Sequence, residues 1–207
     1  MLTIHHLGIS QSDRVIWLCE ELGIAYDFIR YTRDATTRLA PAEYKALHPS
    51  GTAPVITDGG MTLAETGAIF EYILTKHGKG RLAVEPDAPN YADYLFWLHY
   101  PNGSLMPTEM INMMLKMAQV ADDAPVWYFV NGRTTAAYEQ INARLGLVPY
   151  LAGADFTAAD IMMLFPLSTM GVFFARDLTP YPNIAPYVER LKARPAYQRA
   201  MAKAEPK

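Results

Sequence analysis

Apolar positions change their spacing partway along this chain, and the change divides it. Leu2 to Leu7 alternates loosely between apolar and polar residues, the period of a strand, whereas Val15, Leu18, Cys19 and Leu22 lie at the spacing of one helical face. Gly23 stands where a left-handed C-cap would end that helix. Tyr26 to Tyr31 reads as a second strand, with Phe28 and Tyr26 candidates for its buried side. Pro41 begins a short helix through Leu47, at the first-turn position that proline tolerates. Val55-Ile56 and Met61-Thr62-Leu63 are strand runs split by Asp58-Gly59-Gly60, a hairpin signal, and Glu65-Thr66 opens a helix running to about Lys76. The predicted order over residues 1–78 is βαβαββα, an α/β domain.

Residues 79–89 read as a linker, broken by His77-Gly78-Lys79-Gly80-Arg81 before it and carrying Pro86 and Pro89. From residue 90 to 207 strand alternation disappears. Tyr91–Trp97, Met106–Val120, Val126–Leu147, Ala158–Phe174 and Ile184–Ala202 are helix-rich, separated at Pro101-Asn102-Gly103, Asp122–Pro125 and Pro149–Asp155. This predicts an all-α second domain. Within it, Thr157 followed three residues later by Asp160, with apolar neighbours, has the form of a capping box and hydrophobic staple, a device of folding and not of catalysis.

Composition narrows the function classes. With 51% apolar and 19% charged residues among 207, the chain is long enough and apolar enough to fold alone. A net charge of −3 gives no electrostatic case for nucleic acid or an anionic membrane surface. No apolar run is long enough for a membrane span, and Met1-Leu2-Thr3-Ile4 does not begin a signal peptide, so a cytoplasmic location is expected. One cysteine, Cys19, excludes an internal disulfide and a thiolate-rich metal site, and no metal or cofactor is expected. Its place on the apolar face of the first helix predicts a buried, inert thiol.

The stretch His48–Tyr72 carries the densest chemistry. Pro54 donates no ladder hydrogen bond and holds Ala53 extended, which leaves the Ala53 backbone available to an extended peptide ligand. At Glu65-Thr66 the free N–H groups and positive dipole end of a helix favour a carboxylate, to which Thr66 adds a hydroxyl, while Glu65 can take an ammonium group. An amino-acid head joined to a peptide middle fits both.

Pro49-x-Gly51-x-x-Pro54-Val55 followed by Glu65-Thr66-x-Ala68-Ile69 resembles the glutathione site of the cytosolic glutathione transferase superfamily. The resemblance covers essentially the full chain and implies a thioredoxin-like domain followed by a helical one. It implies a cis proline at Pro54, pairing of Ala53 with the cysteinyl part of glutathione, and binding of the γ-glutamyl head by Glu65 and Thr66; Thr66 stands where the family usually has serine. It also implies glutathione as co-substrate and a homodimer, for which Phe70, Tyr91, Tyr94 and Met113 are candidate contacts.

A transferase of this kind needs a donor aimed at the sulfur, because the thiolate is the nucleophile. Ser10-Gln11-x-x-Arg14 resembles the bacterial and fungal serine-type members, theta-like or beta-like, and implies Ser10 in that role, with Ser12 the alternative. No tyrosine precedes residue 25, and the beta-class cysteine is missing here. Ser10-x-x-Asp13 also has the form of a capping box, and Ser12 could be the cap. His5 and His6 are possible bases, although strand histidines more often pack. Tyr100, Met106, Met110, Phe173 and Phe174 are candidate walls of an electrophile pocket, or plain core. The expected activity is conjugation of glutathione to small hydrophobic electrophiles; the alternatives are glutathione-dependent disulfide or peroxide reduction, and a non-catalytic binding or assembly module.

Overall fold

The computed structural model describes residues 1–172 and 175–205. Strand β1 (Thr3–Leu7), helix α1 (Ser12–Leu22), β2 (Asp27–Tyr31), α2 (Ala42–Lys45), β3 (Val55–Asp58), β4 (Met61–Ala64) and α3 (Thr66–Lys76) follow in the order the spacing predicts. The sheet order is β2-β1-β3-β4; β1 runs parallel to β2 and antiparallel to β3, and β3 pairs antiparallel with β4. Crossing from β1 to a parallel β2 requires a connection as long as α1, whereas Gly59 and Gly60, both at positive φ, close the β3–β4 hairpin in two residues. Gly23 ends α1 at φ 61°, and the Ile24 N–H closes back on the Cys19 carbonyl. Leu7, Tyr44, Val55 and Ala64 form a buried cluster against which Tyr31, Leu47 and the Ala53 side chain pack.

The second half is helical: α4 (Tyr91–Tyr100), α5 (Met106–Met117), α6 (Val126–Leu147), α7 (Ala158–Leu167), α8 (Ile184–Lys192) and α9 (Pro195–Ala204). Three boundaries differ from expectation. Pro101–Leu105 is a π-helical turn and not a break, so α4 runs on into α5; proline has no N–H to give the usual i−4 bond, and the wider turn instead closes Met106 N–H on the Pro101 carbonyl. The single helix expected over Ile184–Ala202 is two, because Pro195 holds Arg194 extended at ψ 130° and begins α9. The helix expected over Ala158–Phe174 stops at Leu167 and is followed by a 3₁₀ turn, Thr169–Val172; Phe173 and Phe174 lie outside the described residues.

The capping box is formed. Asp160 Oδ2 accepts the Thr157 N–H at 2.9 Å, and Oδ1 accepts the Leu151 N–H and the Tyr187 hydroxyl, each at 2.9 Å. Burial raises the Asp160 carboxyl above its ordinary pKa against the lowering effect of these donors.

By packing, the chain forms two compact units, Met1–Glu85 with Lys192–Lys207, and Pro86–Leu191. The helical domain drawn over residues 90–207 therefore gives its last helix to the first unit. There Tyr197 meets Trp17 edge-on at 5.1 Å, Arg194 pairs with Glu21 at 2.6 Å, and Arg199 and Lys203 hold Glu20 at 3.0 and 2.5 Å. No helix among the described residues is long and apolar enough to cross a membrane.

Candidate functional site

The loop Gly8–Gln11 between β1 and α1 is fixed from outside itself. Ile9 sits at φ 49°, a conformation a β-branched residue adopts only when its surroundings impose it. Arg33 donates from Nε to the Gly8 carbonyl at 2.8 Å and from a terminal nitrogen to the Ile9 carbonyl at 3.1 Å, while the Ile9 N–H donates to Glu205 Oε1 at 2.8 Å. Glu205 is held in turn by Arg30 at 3.0 Å.

Ser10 follows Ile9 and is 6% exposed. The capping box considered for it is not formed: the helix N-cap is Gln11, and Ser10 instead accepts the Ser12 N–H at 3.2 Å and lies 2.7 Å from the Ser12 hydroxyl. Ser12 is fully buried, 2.8 Å from His6 Nδ1, and also accepts the Leu7 N–H at 3.3 Å. Ser10 is thus the hydroxyl nearer the surface, and Ser12 lies behind it.

Gln11 joins this loop to the start of α3. Thr66, 2% exposed, donates its hydroxyl to Gln11 Oε1 at 2.9 Å. Glu65 precedes it at φ 73° with an exposed side chain, and its carbonyl accepts the first helical bond, from Ile69. The Ala53–Pro54 peptide is cis and leads into β3, which pairs with β1. The sequence motif around Glu65 and Thr66 and the Ser10 loop, more than fifty residues apart in the chain, therefore meet.

Charge beneath the loop is unusual. Burial pushes the Asp13 carboxyl up to about 7, and its Oδ1 is buried with no hydrogen-bond partner among the described residues. Burial pushes the Arg14 guanidinium down to about 9 while Asp13 and Glu65 pull it back up. His5 and His6 both lie below the ordinary imidazole pKa, chiefly through burial. His5 is packed between Tyr31 and Thr57, as a structural strand histidine would be. His6, Asp13 and Glu205 bring ligand-type atoms within 4.8 Å of one another. Their hydrogen bonds account for that closeness: His6 is engaged by Ser12 and Ala204, and Glu205 by Ile9 and Arg30. Burial raises the Cys19 thiol to about 12, so it supplies no thiolate.

The candidate pocket residues lie in the second unit. Tyr100 lines a cleft there with Pro107, Ile111, Arg133 and Gln140; Met106 is half-buried and Met110 exposed, and Phe173 is outside the described residues. The sequence offered His6 as a possible base but not as the inner partner of the serines: Ser12 lies six positions beyond His6, a spacing that a strand, a tight turn and a helix start fold back on themselves.

Comparison with known proteins gives this arrangement its family. The model of the glutathione S-transferase N-terminal domain matches residues 10–76, and that of the C-terminal domain residues 105–195. Glutathione S-transferase 3 of Schizosaccharomyces pombe is 32% identical over 99% of this chain and 88% of its own length. The disulfide-bond oxidoreductase YfcG of Escherichia coli is 28% identical over 99% of this chain and 96% of its own. Among solved structures, a glutathione S-transferase of Actinobacillus pleuropneumoniae superposes with a TM-score of 0.90 at 30% identity, covering 99% of this chain and 93% of that one. With both family domains matched and its fold superposing on a solved member over nearly the whole chain, the chain belongs to the glutathione S-transferase family.

Proposed function

We propose that this chain conjugates the thiolate of glutathione to small hydrophobic electrophiles, with glutathione as co-substrate and the Ser10 hydroxyl facing the sulfur. The Thr66–Gln11 hydrogen bond carries the reading, because it holds the Ser10 loop against the helix start that bears Glu65. Glutathione needs both at once. Its ammonium group pairs with Glu65, its γ-glutamyl carboxylate takes the backbone N–H groups at the start of α3, where the Thr66 hydroxyl is committed to Gln11, and its cysteinyl backbone lies along Ala53 before the cis Pro54. The thiol, ordinarily near a pKa of about 8.5, then falls at Ser10 and is favoured as thiolate by a donor in a dry site. Holding thiolate and electrophile together supplies the remaining advantage. Conjugation of a nitroaryl halide by the purified chain tests this, and a rate no greater than the uncatalysed one across a broad electrophile panel would refute it.

The likeness to YfcG along 99% of the chain favours a second reading, glutathione-dependent disulfide exchange. With Cys19 buried, such exchange runs through glutathione sulfur alone. A disulfide-exchange assay beside the conjugation assay separates the two, and calorimetry without glutathione binding would leave the non-catalytic module.

We further propose a twofold homodimer. Of the groups expected at its contact, Phe70 and Tyr94 are buried within their own chain, and Tyr91 and Met113 are half-buried. Ile111, Met114 and Met117 on α5 and Tyr128 and Phe129 on α6 are among the large apolar groups left exposed. Light scattering should give twice the 23.1 kDa of the chain, and a monomer at micromolar concentration would count against the pairing.

A further inference from the structure

His6 is fully buried in β1, and its two ring nitrogens have different kinds of neighbour. Nε2 lies 3.0 Å from the Ala204 carbonyl at the end of α9. A carbonyl oxygen only accepts, so Nε2 carries the hydrogen, and in the neutral ring Nδ1 is a bare acceptor. Nδ1 is 2.8 Å from the Ser12 hydroxyl, which must therefore donate to it. With its proton so placed, Ser12 accepts from Ser10 at 2.7 Å. The rival acceptor for Ser12, the Leu7 carbonyl, is 3.4 Å away and competes weakly. In the free protein every hydrogen in this row points inward, and Ser10 presents a lone pair outward.

That polarity is wrong for a thiolate, which needs Ser10 to donate. Reversing the row moves one proton onto the histidine. On the reading that the glutathione sulfur docks at Ser10, we propose that His6 stores the thiol proton through a Ser10–Ser12 relay. The S–H bond breaks and its proton passes to Ser10 Oγ; the Ser10 proton passes to Ser12 and the Ser12 proton to His6 Nδ1. The products are a thiolate receiving the Ser10 O–H and an imidazolium donating from Nδ1 to Ser12 and from Nε2 to the Ala204 carbonyl. Protons are conserved, and no electrons change hands. His6 acts through the two serines and is a positioning residue.

The groups around the ring fit this use. From α1, the Asp13 Oδ1 lies 3.8 Å from Nδ1; beyond α9, Glu205 Oε1 lies 3.7 Å from Nε2; from β2, Phe28 stacks at 5.5 Å and the Arg30 charge opposes protonation. Burial keeps the ring neutral at rest, and once a proton arrives the Glu205 carboxylate favours the cation against the Arg30 guanidinium.

The test is a proton count. Glutathione binding to the full-length protein is followed at neutral pH by calorimetry in buffers of different ionisation enthalpy, with thiolate formation read from ultraviolet difference absorbance and S-methylglutathione as the control. The wild type should form thiolate while releasing almost no proton to the buffer. His6→Gln, and Ser12→Ala, which keeps the ring and removes only a small group, should bind glutathione with little change in Kd. Both should form thiolate only at higher pH, with one proton released for each, and lose roughly a hundredfold in turnover at neutral pH. A wild type that releases one proton per thiolate, or variants that retain the wild-type pH profile, would overturn the relay alone. A wild type that neither binds glutathione nor conjugates it would overturn the transfer reading.

Discussion

Thr66 shows how much one hydroxyl is asked to do. It is buried, closes the bond to Gln11 and opens α3. Thr66→Val keeps the shape and removes the donor; glutathione affinity should fall about five- to tenfold, the worth of one hydrogen bond of about 1 kcal/mol, measured by calorimetry. Ser10→Ala should behave differently, lowering turnover and raising the kinetic pKa of bound glutathione while ground-state affinity stays nearly constant; an unchanged pH profile would remove Ser10 from the chemistry. The turn at Ala53–Pro54, the hairpin and the helix start at Glu65-Thr66 were legible in the sequence because they follow one another locally, each with its own residue signal. His6 was readable only as a possible base, since its tautomer is set by a carbonyl 198 residues away, and no periodicity or motif spans that distance.

Single elements carry their own tests. Asp58 ends β3 and is drawn well below the usual carboxylate range, to about 2, by hydrogen bonds from His77, Tyr72 and Lys76. These groups pin the β3–β4 hairpin to α3. Because the folded pKa lies below the unfolded one, the unfolded chain binds more protons between these values. The stability Asp58 adds is full above about pH 4 and is lost as pH falls toward 2. Asp58→Asn should therefore lower the unfolding midpoint near neutrality and make a much smaller difference at pH 2, as denaturant melts across that range would show. Asp160→Ala strands the Thr157 and Leu151 N–H groups and the Tyr187 hydroxyl in the core, and urea unfolding should register a loss of about 3 kcal/mol or more. The capping box was readable because it is contained in four residues. The π turn at Pro101 was not: proline there signals a stop, and only the register on both sides shows that the helix absorbed it.

At the scale of the whole molecule, the first unit is closed by both ends of the chain. Sequence composition located one boundary, in the linker, because polar and proline-rich stretches mark where few contacts cross. It could not locate the second, because α9 resembles any other amphipathic helix and only its partners, Trp17, Glu20 and Glu21 on α1, tell which unit it covers. Removing residues 193–207 should lower the melting temperature of the first unit and expose Trp17 to quenching, while the same protein with Arg199→Gln alone, one exposed pair lost, should melt nearly as the wild type.

The bond between the His6 ring and the Ala204 carbonyl has a consequence for biosynthesis. A ribosome making this protein releases the sheet, the cis-proline turn and both serines before it reaches residue 204, so until then the His6 imidazole has no Ala204 carbonyl to choose its tautomer. On the proposed relay, turnover at neutral pH should rise once α9 has emerged and docked, and a product clipped before residue 204 should work more slowly than the whole chain.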